Sequence, residues 1–183
     1  TIGGYFAGTN LQPVTTAHAA FNDSVQQEQE KLQKLMAIQG KRTVDNIFRE
    51  LGKIMWEYCG MSRTAEGLKK ALQLIQNLRS EFWENVLVPG KEKDFNKSLE
   101  KAGRLADSLD FAEIMINDAL TRDESCGSHF RLEFQTEDGE AKRDDDNFCH
   151  VSIWQYQGEG ERPAFHKEPL AFENVELSQR SYK

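Results

Sequence analysis

The densest group of chemically capable side chains in this sequence is Glu124-Ser125-Cys126-Gly127-Ser128-His129-Phe130-Arg131. A cysteine three residues ahead of a histidine is the spacing at which a thiol nucleophile and an imidazole base can share a turn. Such a pair also needs a group to orient the base and donors for an oxyanion, and the sequence marks neither. The structural reading is preferred: a helix ending at Gly127, with polar neighbours that tie a β-rich segment to a helical one.

A metal site drawn from Cys59, Cys126, Cys149, His129 and His150 would lack the two ligands on one short loop that zinc sites usually bring. Asp144-Asp145-Asp146-Asn147, after Asp138, does not meet the D-x-[DN]-x-[DN]-G spacing of a calcium loop and reads as a solvated turn. GxGxxG, GxxxxGK[ST], HExxH and CxxC are all missing. Trp56, Trp83 and Trp154, with the eleven phenylalanines, read as core rather than as a ligand box. His18 and His166 stand alone and need no role.

These side chains sit in a chain of 183 residues with 38% hydrophobic and 29% charged residues, a net charge of −7 and a pI near 5.2. That length buries a sufficient core without staples. Interspersed charge argues against nucleic acid and anionic lipid, which need clustered Lys and Arg. No apolar run approaches the roughly 20 residues of a membrane span, and no signal peptide is visible. Three cysteines at unrelated spacings argue against a disulfide framework and for a reducing, cytoplasmic setting. Thr1 in place of Met suggests a piece of a longer protein.

Positioning falls to the elements on either side. Residues 1–15, with Gly3-Gly4, Gly8 and Pro13, read as a connecting strand or loop. A thinly apolar helix is expected from about Thr16 to Ile38, with Phe21, Val25, Leu32, Leu35 and Met36 on one face. A second follows the N-cap Thr43 and stops at Gly60; its dense stripe is Val44, Ile47, Phe48, Leu51, Ile54, Met55 and Tyr58. A third begins at Thr64 and carries Leu68, Leu72, Ile75, Leu78 and Phe82, with Pro89-Gly90 behind it. A fourth runs from Asn96 to about Leu120. Short connections make these an antiparallel up-and-down bundle over 16–126.

After Gly127 the period becomes two. Phe130, Leu132 and Phe134 alternate with polar residues, residues 148–157 alternate again, and Phe172, Val175 and Leu177 suggest a last extended piece. Asp138-Gly139 is a turn dipeptide. The expected fold class is α+β, predominantly α, with a small antiparallel β tail over 127–183. Residue chemistry leaves two functions open: a support domain of a larger enzyme, or a free-standing helical interaction module.

Longer strings separate them. ELGKIMWEYCGMSRTAEGLKKAL (50–72), VPGKEKDFNKSLEKAGRLADSLDFAEIMINDAL (88–120), ESCGSHFRLEFQTEDGEAKRDDDNF (124–148) and HKEPLAFENVELSQRSYK (166–183) stand in one order. Together they resemble the C-terminal helical region of the flavoprotein subunit of succinate dehydrogenase and fumarate reductase. The opening TIGGYF resembles the point where that subunit's flavin domain ends. The resemblance spans residues 43–183, and the helix at 16–40 carries little of it. Many members read Glu-Ser-Arg-Gly-x-His at the bundle-to-tail junction, where this chain has Cys126, so no role of that arginine transfers.

The resemblance implies a parent oxidoreductase that interconverts succinate and fumarate through covalent FAD. The flavin-linking His, the dinucleotide-binding glycines and the dicarboxylate-handling Arg and His residues lie upstream in that family. No catalytic, cofactor-binding or metal-binding residue maps onto this chain. Implied partners are the upstream flavin and capping domains, an iron–sulfur subunit and, through it, a membrane cytochrome. The implied location is cytoplasmic, peripheral to the inner membrane, without direct lipid contact. The junction residues Glu124, Cys126, His129, Arg131 and Trp154 are expected to be structural. Trp154 should bury its ring against the bundle, and His129 or Arg131 should bond backbone or carboxylate groups.

Overall fold

The computed structural model describes residues 2–9, 15–90, 95–158 and 161–178; Thr1, Pro13 and the final Ser181-Tyr182-Lys183 lie outside them. The chain is predominantly helical with a small sheet near its C-terminal end, an α+β fold. Its centre is three helices, α3 (Val44–Cys59), α4 (Ala65–Asn85) and α5 (Lys97–Thr121), each packed on the other two. Their buried stripes are Ile47, Leu51 and Ile54; Leu68, Ala71, Ile75, Leu78 and Phe82; and Leu99, Ala102, Leu105, Leu109, Ala112 and Ile116. The alanines of α5 leave room for the larger side chains of its neighbours, so the three stripes form one core.

The helix starts follow capping chemistry. Thr43 Oγ1 accepts from the Asn46 N–H at 3.3 Å, Thr64 Oγ1 from Gly67 at 3.0 Å, and Asn96 Oδ1 from Leu99 at 3.0 Å. Each satisfies one of the amides that a helix leaves open at its N-terminus. Surface ion pairs cross the helix seams: Arg79 of α4 to Asp110 and Glu113 of α5, and Lys101 of α5 to Asp45 of α3. These exposed pairs fix alignment more than they add stability.

α2 (Ala19–Ala37) starts three residues later than expected, where His18 Nδ1 accepts from the Ala20 N–H. Its apolar content is too thin for a full seam: it packs on α5, with only Leu35 buried and Lys31 paired to Asp107. The expected opening strand or loop is instead a short helix, α1 (Ile2–Gly8). The glycine pair pointed to a loop, whereas Ile2, Tyr5 and Phe6 have the i, i+3, i+4 spacing of a helical face. That face is exposed.

A parallel pair of two-residue strands, β1 (Arg42–Thr43) and β2 (Val86–Leu87), joins the start of α3 to the end of α4. Nothing in the periodicity announces it, because its bonds are between backbones. It requires Gly40, where a Cβ would lie 2.0 Å from both the carbonyl carbon and the oxygen of Asn85. Arg42 adds ion pairs to Glu50 of α3 and Glu81 of α4.

The tail departs further from expectation. Residues 130–134 form no strand: Phe130 and Leu132 bond the backbone of Arg63, and the Phe134 N–H turns back to the Arg131 carbonyl. Leu132 is exposed, so the alternation does not mark one buried face. Asp138-Gly139 does make a turn, with Gly139 at φ +80°, inside a loop closed by Gln135 and Ala141. The acidic run starts a one-turn helix, α6 (Asp145–Phe148), capped by Asp144. β3 (His150–Gln155) then pairs antiparallel with β4 (Ala164–Pro169), placing Trp154 opposite Phe165. The partner strand is therefore 164–169, and Phe172, Val175 and Leu177 are exposed and outside any strand. A pattern search passes over AFHKEP because Phe165 is its only large apolar residue.

The expectation that the aromatics fill the core also needs correction. Phe82 is fully buried with Trp83 edge-on to it at 5.0 Å, but Trp56 is 83% exposed and Phe95 is 92% exposed. They lie off the inward stripes of their segments.

Gly40→Ala should destabilise the chain by about 3 kcal/mol, the upper end of overpacking costs, because the clash is with backbone. Gly52→Ala, on the exposed face of α3 with nothing within 4 Å, should stabilise by about 0.5–1 kcal/mol. Urea melts of the two variants check both signs.

Candidate functional site

α5 ends at Thr121, and its last carbonyls must find donors off the helix. They find Arg131. That residue is buried (2% exposed), and its Nη1 donates to the carbonyls of Ala119 at 3.0 Å and Arg122 at 3.3 Å. Nε donates to Glu133 Oε2 at 3.1 Å, Asp123 lies 3.6 Å from Nη1, and the guanidinium sits 5.3 Å from the centre of the Phe134 ring. A cation at the negative end of a helix is favourable, more so out of water.

The chain between α5 and Arg131 is folded around that contact. Ser125, fully buried, donates from Oγ to the Arg131 carbonyl at 3.1 Å and accepts from the Arg131 N–H at 2.8 Å. Cys126 and His129 exchange both backbone bonds, at 2.8 and 3.0 Å, across a turn that puts Gly127 at φ +59°. An L side chain rarely adopts that conformation, which is why glycine stands there. Glu124, also buried, pairs with the Arg122 guanidinium and accepts from the Asp144 N–H at 3.0 Å.

His129 has both ring nitrogens committed. Nδ1 faces Arg63 Nη1 at 3.0 Å and Nε2 faces the Arg122 carbonyl at 3.0 Å. A guanidinium only donates and a carbonyl only accepts, so the ring is neutral with its proton on Nε2. Neither nitrogen is free to take a proton from Cys126, which removes the nucleophile–base reading of this segment.

Trp154 is half-buried rather than buried. Its Nε1 donates to Asp118 Oδ1 of α5 at 2.9 Å, and its ring lies 4.8 Å from that of Phe165. It meets the bundle with its polar tip and stacks at a tilt on Phe165 within the hairpin. Three further polar atoms around this seam, Arg122 Nε, His150 Nε2 and Ser152 Oγ, are buried without a protein partner.

Of the five junction residues read from sequence, Glu124, Cys126, His129 and Arg131 lie within one backbone-bonded segment, and Trp154 joins the same end of α5 from the hairpin. Ser125, already inside the polar cluster, completes the arrangement with Arg122 and Arg63, which were missed. Arg122, two residues before Glu124, gave no distinct signal; Arg63 is 66 positions from His129, beyond the reach of any local pattern. In the acidic run, Asp144 caps α6 and Asp145 is held by Arg143, at 2.9 Å from Nε. Among the described residues no group of three or more His, Cys, Asp or Glu side chains is arranged to hold a metal ion. The three cysteines are free thiols.

Apart from Arg122 Nε, the side chains of the segment that are described above bond one another or nearby backbone. That suits joining elements more than turning over a substrate. A family model described as fumarate reductase flavoprotein C-term matches residues 48–182. The fumarate reductase flavoprotein subunit of Proteus vulgaris is 32% identical over 160 residues, 87% of this chain and 26% of that subunit. The corresponding subunit of a Serratia species is 31% identical over 151 residues, 82% of this chain and 24% of that one. A solved variant of Escherichia coli quinol fumarate reductase superposes with a TM-score of 0.76 at 25% identity, covering 94% of this chain and 28% of that chain. The chain spans about a quarter of the length of the curated relatives it matches.

Arg131→Leu should cost about 3–5 kcal/mol, since it strands the α5 carbonyls and the charge of Glu133. Cys126→Ser should cost under about 1 kcal/mol, because the thiol is a small packing group there. Trp154→Ala should fall between them, short of the roughly 3–5 kcal/mol of a fully buried tryptophan. Thermal and urea melts of the three variants test that order.

Proposed function

Because this chain belongs to the fumarate reductase flavoprotein C-terminal family, we propose that it is the supporting domain of an FAD-dependent oxidoreductase that interconverts succinate and fumarate. The observation that carries this is the family match over 48–182, together with the chain's quarter share of its relatives' length. The free-standing interaction module is not favoured, since no observation separates this chain from fumarate reductase flavoproteins.

Among the described residues the one parallel strand pair, β1–β2, is two residues long, and the sequence has no GxGxxG. FAD is therefore proposed for the remainder of the parent protein, with this chain contributing rigidity. Glu124, Cys126, His129, Arg131 and Trp154 are proposed to act structurally, holding a tail over 127–183 to a bundle over 16–126, with 1–15 as the connector from the flavin domain.

Large apolar side chains left in water support a docking role. Tyr5, Phe6, Trp56, Met61 and Phe95 are exposed, Met61 by 90%. Where such side chains adjoin, as Tyr5 and Phe6 do with ring centres 6.0 Å apart, exposed apolar surface is suited to meeting other protein. We assign these surfaces to flavin and capping domains. An iron–sulfur subunit, and through it a membrane cytochrome, are the proposed partners of the assembled protein. No helix among the described residues is long and apolar enough to cross a membrane. That is consistent with a cytoplasmic, peripheral position reached through partner subunits.

The purified 183-residue chain should fold, lack flavin absorbance and fail to oxidise succinate in a dye-coupled assay, while the longer parent subunit does both. Flavin absorbance with succinate activity in the chain alone would overturn the proposal.

A further inference from the structure

The contact between His129 and Arg63 joins two parts of the chain far apart in sequence. Around it the backbones also meet: the Arg63 N–H donates to the Phe130 carbonyl and the Leu132 N–H to the Arg63 carbonyl, both at 2.9 Å. Arg63 Nε donates to the Gly60 carbonyl at 3.2 Å, so its guanidinium spans the α3–α4 loop and the tail. Only the contact to Arg63 demands the neutral form, because the Nε2–H donates to the Arg122 carbonyl in either state. A second proton would go on Nδ1 and point an N–H at the Arg63 guanidinium across 3.0 Å.

We propose that His129 is a pH-sensitive latch, whose neutral ring ties the Cys126–Leu132 segment to the α3–α4 loop and whose protonated ring releases it. The groups around the ring come from three sides. Arg63, with Cys59 beside it, comes from the α3–α4 side; Arg122, paired to Glu124, from the end of α5; and Arg131, paired to Glu133 and near Asp123, from the tail. Among the described residues no carboxylate bonds the ring to stabilise an imidazolium. Burial, then the cations of Arg63, Arg122 and Arg131, hold the imidazole below the ordinary histidine range, against the opposing Arg122 carbonyl. A released ring, back in water, binds a proton more readily than the tied one. The tied state therefore keeps its full advantage above a pH of about 6.5 and loses it as pH falls below that.

Amide exchange of the full chain at pH about 7.5 and about 5.5, corrected for intrinsic rates, tests this. The Arg63 and Leu132 amides should lose on the order of tenfold protection at the lower pH relative to the centre of α4. His129→Gln, whose amide accepts and donates without titrating, should remove that pH dependence. Unchanged protection in the natural chain, or the same loss in His129→Gln, would overturn the proposal. Should the variant not fold, nitrogen NMR of the natural chain decides. Loss of amide protection should track protonation of Nδ1, and a doubly protonated ring beside fully protected Arg63 and Leu132 amides would sink the idea.

Discussion

The tail takes its position from one contact, the Arg131 guanidinium seated on the open C-terminal end of α5. A long buried helix leaves carbonyls at its end that water would otherwise satisfy. Here the donors come from a residue ten positions past the last helical one, so the chain must double back to deliver them. Ser125 pairing with the Arg131 backbone and the Cys126–His129 turn are the shape of that return. Backbone bonds from Phe130 and Leu132 then pin the returning chain to the α3–α4 loop. The end of α5 thus positions everything from 122 to 134, and the hairpin follows through Trp154 and Asp118.

A junction built from buried ions is a costly solution if stability alone matters. Desolvating Arg131 and Glu124 consumes much of what their pairings return, and a well-packed apolar corner often does as well. What directional bonds add is a single geometry. Apolar side chains between a bundle and a two-stranded hairpin can slide; a guanidinium on two named carbonyls cannot, without stranding both. In the supporting role proposed above, that definiteness would count for more than extra stability.

What was legible in the sequence divides by range. The caps Thr43, Thr64 and Asn96 and the stripes of α3, α4 and α5 are local patterns, each readable within a few turns of helix. The close approach of Gly40 to Asn85, the β1–β2 pair and the reach of Arg63 to His129 are encounters between distant segments, and no window contains them. Period two misled at 130–134 because those backbone groups bond the α3–α4 loop and their own turn instead of a neighbouring strand. It missed β4 because main-chain pairing needs no apolar alternation, as His166, Lys167 and Glu168 show. The junction residues were legible as a cluster, since polar types crowded around a glycine mark a corner. Which carbonyls they would bond was not.

The misplaced aromatics carry the last step. Apolar type was taken as a sign of burial, and for Phe82 and Trp83 it was. Trp56 sits on α3 between buried Ile54 and Cys59, yet its own position faces outward, as Phe48 does one face away from Ile47 and Leu51. A helix that already commits Val44, Ile47, Leu51, Ile54 and Cys59 to a core has no structural use for a tryptophan on its other side. Water gains nothing by contact with it, and the roughly 2–3 kcal/mol of driving force available from burying such a ring is left unspent in this chain. Trp56 therefore adds nothing to the fold of this chain, and its exposure is compatible with the docking role proposed above.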